Sequence, residues 1–175
     1  MAEALDAAAP ASLDLLTRQV LREACDRGLM LVTAESCTGG LLASLLTDIP
    51  GCSHAFERGF VVYTDEAKHE MLGVGLDILE TDGAVSARAA CAMAEGALAH
   101  ARGHIAVSIT GFAEAGPKPG DEAGLVHFAS ARRGQATLHL ERRFGDVGRA
   151  QVRIGCLRTA LEMMLNRLTE PAAST

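Results

Sequence analysis

The sequence predicts an α/β fold: a three-layer α/β/α single domain with a mixed sheet of about five or six strands. Three observations carry this expectation. Short β-branched apolar runs alternate with segments of helical periodicity, in the order βα-βαα-β-ββ-α. The 49% hydrophobic content rests on Ala, Leu and Val, with 3% aromatic residues and no Trp, and small side chains suit helices laid close on a sheet. Finally, Arg132-Arg133-Gly134-Gln135 separates two strand-like runs as a hairpin turn would, so at least one strand pair is antiparallel. At 175 residues the chain has the size of one domain. No linker or internal repeat divides it, and the folded domain is expected over 12–168, between flexible ends at 1–11 and 169–175.

Each element has a local reason. A helix is expected from Ser12, its N-cap, to Gly28, with Leu13, Leu16, Val20 and Ala24 on one face and Asp14/Arg18 and Glu23/Arg27 as i,i+4 ion pairs. A strand over about 30–34 then runs into the polar cluster Glu35-Ser36-Cys37-Thr38-Gly39-Gly40. A helix carrying Leu41, Leu42, Leu45 and Leu46 leaves that cluster and ends where Ile49-Pro50-Gly51 breaks it. Phe56–Tyr63 reads as the second strand. Thr64-Asp65 caps a short helix that runs to Gly73, and 76–81 is a second short piece closed by Gly83. Ser86 caps an Ala-rich helix over 86–101, and 105–110 is the third strand. A Gly/Pro-rich loop over 111–124 precedes the hairpin strands, 125–131 and 137–144. Asp146 is the expected cap of the last helix, whose apolar stripe is Ala150, Ile154, Leu157, Leu161, Met164 and Leu168.

Composition removes several functional classes. The net charge of −6 and the absence of a basic patch argue against nucleic-acid binding. No apolar run reaches the roughly 18 residues of a membrane span, and the acidic N-terminus does not read as a secretory signal. Five cysteines and six histidines are scattered without metal-ligand spacing. Reduced thiols, a cytoplasmic location, and neither metal nor cofactor are the expectation.

The strand-to-helix junction at 35–40 is the first candidate site, because helix N-termini present unpaired backbone N–H groups. Gly39 and Gly40 in a first helical turn suggest that the backbone there must stay bare. Lys68 falls near a helix start, where the helix field favours loss of its proton. Arg149 and Arg153 near the last helix start would be offset by a bound anion. Tyr63 and Thr110 close the second and third strands, where ligands of α/β sheets bind. Taken singly, each has an ordinary structural reading: Ser36 as a cap, Cys37 as a buried thiol, Tyr63 and Thr110 as strand-end residues. Taken together, they are the parts of a Ser–Lys hydrolase, with Ser36 as nucleophile, Lys68 as base, and backbone N–H groups after Ser36 for an oxyanion. No G-x-S-x-G or S-x-x-K pattern sharpens this assembly.

Thr33-Ala-Glu-Ser-Cys-Thr-Gly-Gly40, Arg58-Gly-Phe-Val-Val-Tyr-Thr-Asp-Glu-Ala-Lys68, Met71-Leu-Gly-Val74, Gly83-Ala-Val-Ser86 and Ser108-Ile-Thr-Gly111 resemble the C-terminal domain family of the competence/damage-inducible protein CinA. So does the helix from Arg149 to Leu161, and the similarity spans roughly 12–168. Stand-alone members of that family hydrolyse nicotinamide mononucleotide to nicotinate mononucleotide and ammonia. The resemblance therefore implies a nicotinamide-nucleotide amidase of pyridine-nucleotide salvage, with Ser36 as nucleophile, Lys68 as base and Tyr63 as their hydrogen-bonding partner. The expected substrate-binding residues are Glu35, Cys37, Thr38, Gly39, Gly40, Thr110, Gly111 and Arg149. A small-molecule nucleotide is the expected partner, and the resemblance favours a homodimer. Two departures bear on function. Asp65 stands where the family commonly has Asn, and a carboxylate there favours a protonated Lys68. The 112–124 loop carries Glu114, Asp121 and Glu122 where the family has a Gly-rich run and a Lys-Pro-Val segment, and acids there weaken binding of a phosphomonoester. A catalytically weak nucleotide-binding module and an amidase for another carboxamide remain the alternatives.

Overall fold

The computed structural model describes residues 11–116 and 118–171. The order is α1 (Ala11–Arg27), β1 (Leu31–Glu35), α2 (Leu41–Thr47), a 3-10 turn (Ser53–Ala55) and β2 (Phe56–Val61). Then come α3 (Asp65–Leu72), α4 (Leu76–Thr81), α5 (Ala87–Ala99), β3 (Ile105–Gly111), β4 (Leu125–Arg132), β5 (Leu138–Arg143) and α6 (Arg149–Thr169). The five strands form one sheet in the order β2-β1-β3-β4-β5. β1 is parallel to both β2 and β3, and β4 is antiparallel to β3 and β5. This is the expected α/β fold with a mixed sheet. The flexible ends expected at 1–11 and 169–175 fall largely outside the described residues, although Ala11 and Thr169 are helical.

Strand alternation divides the core into two layers. Leu31, Ile105, Val107, Ile109, Val126 and Phe128 face α1, α2 and α6, where Leu13, Val20, Leu42, Leu46, Leu161 and Met164 complete the packing. Val32, Ala34, Ala106, Ala129 and Ala131 face α3, α4 and α5, against Leu72, Leu79, Ala90, Met93 and Ala97. Small residues on both sides of the second layer let α5 lie close to the sheet. At Gly96 even a methyl group does not fit, since a Cβ there would stand 1.9 Å from the Leu72 carbonyl oxygen of α3.

Local capping chemistry sets several boundaries. Thr64 accepts from the Ala67 N–H at 3.1 Å and Ser86 from the Ala89 N–H at 3.1 Å, so both expected N-caps are present. Three other expectations need correction. Ser12 lies inside α1, and its hydroxyl accepts from Arg158 at 2.8 Å. Gly148, not Asp146, precedes α6, which makes Arg149 its first residue. The apolar stripe of α6 holds from Leu157 onward, with Ile154 half-buried against the core, but Val152 and Cys156 are fully buried in the first half and Ala150 is exposed. There α6 passes under the 36–40 turn as well as the sheet, and its inner face rotates accordingly.

Replacing Gly96 with Ala should lower stability although Ala is the better helix former. Overpacking against Leu72 outweighs a propensity gain of about 1 kcal/mol, for a net loss on the order of 1–2 kcal/mol. Urea denaturation checks this, and a higher midpoint for the Ala variant would show that α5 can shift outward freely.

Candidate active site

β1, β2 and β3 end on the same side of the sheet, and the order reverses at β1: the chain runs outward to β2, then returns past β1 to β3. Crevices at such switch points are where α/β sheets receive ligands. Here a cavity of about 440 Å³ opens, lined by Ser36, Tyr63, Lys68, Thr110, Glu114 and Arg149 among others.

The turn after β1 is built around Glu35. This residue is fully buried, and its carboxylate accepts from the N–H groups of Gly40 (3.1 Å), Leu42 (3.0 Å) and Ala43 (2.8 Å). Glu35 therefore caps α2 from a distance, and the helix begins only at Leu41. Glu35 is expected as a substrate-binding residue; in the structure its oxygens are occupied inside the fold and it does not line the cavity. Gly39 and Gly40 have φ of +60° and +92°, left-handed values that a turn of this shape requires and that glycine adopts freely. They lie before the helix and outside the cavity lining, so their role is the turn rather than room for a ligand. Thr38 is also buried away from the cavity, and its carbonyl accepts from Arg153 at 2.8 Å. That bond is the offset for Arg153 near the α6 N-terminus, where the sequence suggested an anion.

Within the turn, the Ser36 N–H donates to Ile109 O, the Gly39 N–H to Ser36 O and the Leu41 N–H to Thr38 O. Among the described residues, only the N–H groups of Cys37 and Thr38 in this segment have no protein acceptor. Two consecutive amides directly after Ser36 thus lack a protein acceptor, and of the two residues Cys37 borders the cavity while Thr38 is buried behind it.

Lys68 lies in the first turns of α3 and is 1% exposed, not a solvated cation. Its Nζ donates to the Val62 carbonyl (3.1 Å) and the Tyr63 carbonyl (3.2 Å), with Ser36 Oγ as third neighbour at 3.3 Å. Burial pushes the ammonium below its ordinary range. The Asp65 carboxylate and, behind it, Cys37 pull the other way without reversing the shift. Desolvation therefore outweighs the carboxylate that the sequence suggested would keep Lys68 charged.

Tyr63 meets Lys68 through its backbone carbonyl rather than its phenol. The ring is 67% exposed at the cavity rim. Its hydroxyl helps, after Glu114, to hold the proton on Arg149, a correction to its expected role beside Ser36. Thr110 donates its hydroxyl to Ala84 O at 2.7 Å, tying the 83–86 turn to the end of β3. Gly111 lines the cavity but is glycine because β4 is close: a Cβ would stand 2.7 Å from Leu125 O. The Cys37 sulfur borders both the cavity and the core. Hydrogen bonding to it, then burial, push the Cys156 thiol far above its ordinary range. No histidine lines the cavity among the described residues, and no group of three or more His, Cys, Asp or Glu is arranged there to hold a metal ion. Ala84, Val85 and Phe112 also line the cavity; Ala84 and Val85 lie in the Gly83–Ser86 motif but are not among the site residues that the sequence singles out, and Phe112 carries no sequence signal beyond its place in a loop.

Residues 13–168 match the CinA C-terminal domain. The chain belongs to the CinA C-terminal domain family. It is 47% identical over 135 residues to the nicotinamide-nucleotide amidohydrolase PncC of Escherichia coli K12, an alignment covering 75% of this chain and 81% of that protein. A putative competence-damage inducible protein of Symbiobacterium thermophilum is 47% identical over 123 residues, 70% of this chain but 29% of that longer protein. The chain thus spans about a third or less of some longer CinA relatives. Among solved structures, the competence/damage inducible protein CihA from Agrobacterium tumefaciens superposes with a TM-score of 0.86 at 48% identity, covering 92% of this chain and 98% of that one. The CinA family fold is therefore shared nearly end to end.

Glu35→Gln should separate the cap from the rest of the site. An amide offers one acceptor oxygen where the carboxylate serves three N–H groups, so at least one buried donor is orphaned at a cost of about 1–3 kcal/mol. The urea midpoint should fall with an unchanged slope, and an unaltered midpoint would mean that the α2 N-terminus finds other partners.

Proposed function

We propose that this CinA-family chain is an amidohydrolase that cleaves the carboxamide of a nicotinamide nucleotide, releasing ammonia and the nicotinate nucleotide. The observation that carries it is the Lys68–Ser36 contact on the cavity wall. A neutral amine has two N–H bonds and one lone pair. With the N–H groups directed to the Val62 and Tyr63 carbonyls, the lone pair faces Ser36 Oγ, so the same two carbonyls that anchor Lys68 also aim it. The amidohydrolase relative, at 47% identity, supports the substrate class.

In this reading Lys68 takes the Ser36 proton as Oγ attacks the carboxamide carbon. The carbonyl oxygen gains negative charge and is received by the N–H group of Cys37, which lacks a protein acceptor and borders the cavity. Lys68 returns the proton to the leaving nitrogen, the C–N bond breaks, and ammonia departs from an acyl ester on Ser36. Water then attacks the ester carbon, giving one proton to Lys68. The C–Oγ bond breaks, Ser36 recovers that proton, and the product leaves as the carboxylic acid, which loses its remaining proton to solvent to give the carboxylate. Thr110 keeps the 83–86 turn at the cavity edge, and Tyr63 and Arg149 face the part of the ligand remote from the carboxamide. The five free cysteines fit a reducing cytoplasm.

Purified protein should release ammonia from nicotinamide mononucleotide. Ser36→Ala should reduce the rate by at least ~10³-fold and Lys68→Ala by about 10²–10⁴-fold. Wild-type protein without ammonia release, or a Ser36→Ala variant of wild-type rate, would refute the reading.

The pH profile gives a second test. Lys68 must be neutral to act as base, and its pKa lies below the ordinary lysine value of about 10.4, so kcat/KM should rise with pH through an apparent pKa below that value. Asp65→Asn removes the charge that raises the Lys68 pKa, so the acid limb should move to lower pH. A limb that stays in place, or moves upward, would show that Asp65 does not govern Lys68.

A further inference from the structure

Among the described residues, Arg149 is the one arginine that lines the cavity, and its guanidinium is already occupied. Its Nε and Nη2 donate to the two carboxylate oxygens of Glu114 at 3.2 and 3.0 Å, a side-on bidentate pair. Glu114 projects from the 112–116 loop that forms the opposite wall, so the pair crosses the cavity mouth. Its side chains are 47% and 59% exposed, which leaves both within reach of a ligand. The other acids of the loop are also engaged. Glu122 pairs with Arg143, and Asp121 accepts from the Lys118 N–H. Among the described residues the cavity thus holds two carboxylates, Asp65 and Glu114, against Arg149 and the buried Lys68. Such a lining holds no surplus positive charge for a dianion.

We propose that Glu114 is a specificity-determining residue that suppresses the phosphate contribution to binding, so that this site accepts an N-ribosyl pyridinium carboxamide nearly as well without its 5′-phosphate as with it. The inference rests on the amidase reading for the identity of the carboxamide. A phosphate reaching Arg149 must either displace Glu114 from the two donors it holds or bind through Nη1 alone, beside a like-charged carboxylate. A ribosyl pyridinium without phosphate carries only positive charge and meets neither obstacle. Its cation is compatible with the carboxylates of Asp65 and Glu114.

The test is a comparison of nicotinamide mononucleotide with nicotinamide riboside, by ammonia release and by calorimetric binding. It uses wild type, Glu114→Gln, Arg149→Met and the double variant at low salt. Wild type should favour the phosphorylated compound by less than about fivefold in kcat/KM, the order of what one exposed ion pair contributes. Glu114→Gln should raise that ratio on the order of fivefold or more, acting on KM for the nucleotide. In the Arg149→Met background the Glu114 substitution should leave the ratio flat, because its route is through that guanidinium. A wild-type ratio far above tenfold would overturn the inference, as would a Glu114→Gln ratio within twofold of wild type. An equal Glu114 effect without Arg149 would do the same. Absence of ammonia release from both compounds refutes the amidase reading instead. The binding ratios then still decide the role of Glu114, with the same thresholds.

Discussion

The site depends on the buried carboxylate of Glu35. A strand running directly into a helix would place the helix N-terminus against the strand end, and the first amides would be open to whatever lies above. Glu35 closes that option by taking three of them itself, from Gly40, Leu42 and Ala43. The chain between Ser36 and Gly40 is then free to form a turn of its own, with left-handed glycines at its far end. Arg153 fixes the turn from below through the Thr38 carbonyl. The result is a position for Ser36 whose two following amides, among the described residues of this turn, lack protein acceptors. In most helix-terminus anion sites the macrodipole and the amides act together. Here the helix end is neutralised inside the protein, and the Cys37 N–H beside the cavity is held apart from it.

The second constraint is the burial of Lys68, and it is coupled to the first. Ser36 can face Lys68 only because the turn carries it to the α3 side of the sheet, opposite the face that Glu35 occupies. Alternation along β1 enforces this: Glu35 points toward α2, and the next residue points toward α3. Burying an ammonium costs free energy, which two backbone carbonyls and one hydroxyl offset in part. The remaining penalty appears as the lowered pKa of Lys68, the direction that the proposed role as base calls for. Local instability and chemical competence are here the same quantity.

The parts of this arrangement written in short-range chemistry were legible in the sequence. Thr64 and Ser86 cap helices through bonds to amides three residues on, and both read correctly. The hairpin and the layer order follow from periodicity and turn residues. Ser36 and Lys68 could be singled out as residues near helix starts and strand ends, and the structure brings them within 3.3 Å. What could not be read depends on directions set by tertiary contact. Glu35 sits in a polar cluster and looked like a ligand contact, but a residue's face on a strand end decides whether it caps a helix or lines a cavity. Asp146 has the chemistry of an N-cap, yet the backbone at Gly148 starts the helix two residues later. Tyr63 was placed in the right region, with its carbonyl and phenol in exchanged roles, because sequence gives the position of a residue and not the direction of its ring.

The same distinction between position and pairing governs the electrostatics of the mouth. From sequence, Arg149 at a helix start calls for an anion, and the natural candidate is a ligand. The structure contains a closer one, a carboxylate 35 positions away in the chain that meets it with both oxygens. An unsatisfied cation at a helix N-terminus is thus evidence that some anion is needed, not that the anion is exogenous. Since an exposed ion pair of this kind contributes little to folding, its consequence falls on binding, where it sets what an incoming anion must displace. The residues nearest the reacting bond, Ser36 and Lys68, are buried and held by backbone. Those at the far end, Glu114 and Arg149, are exposed and held chiefly by each other. On the proposed amidase reading, that gradient keeps the reacting residues fixed while the choice among ligands rests on a single side chain of the 112–116 loop.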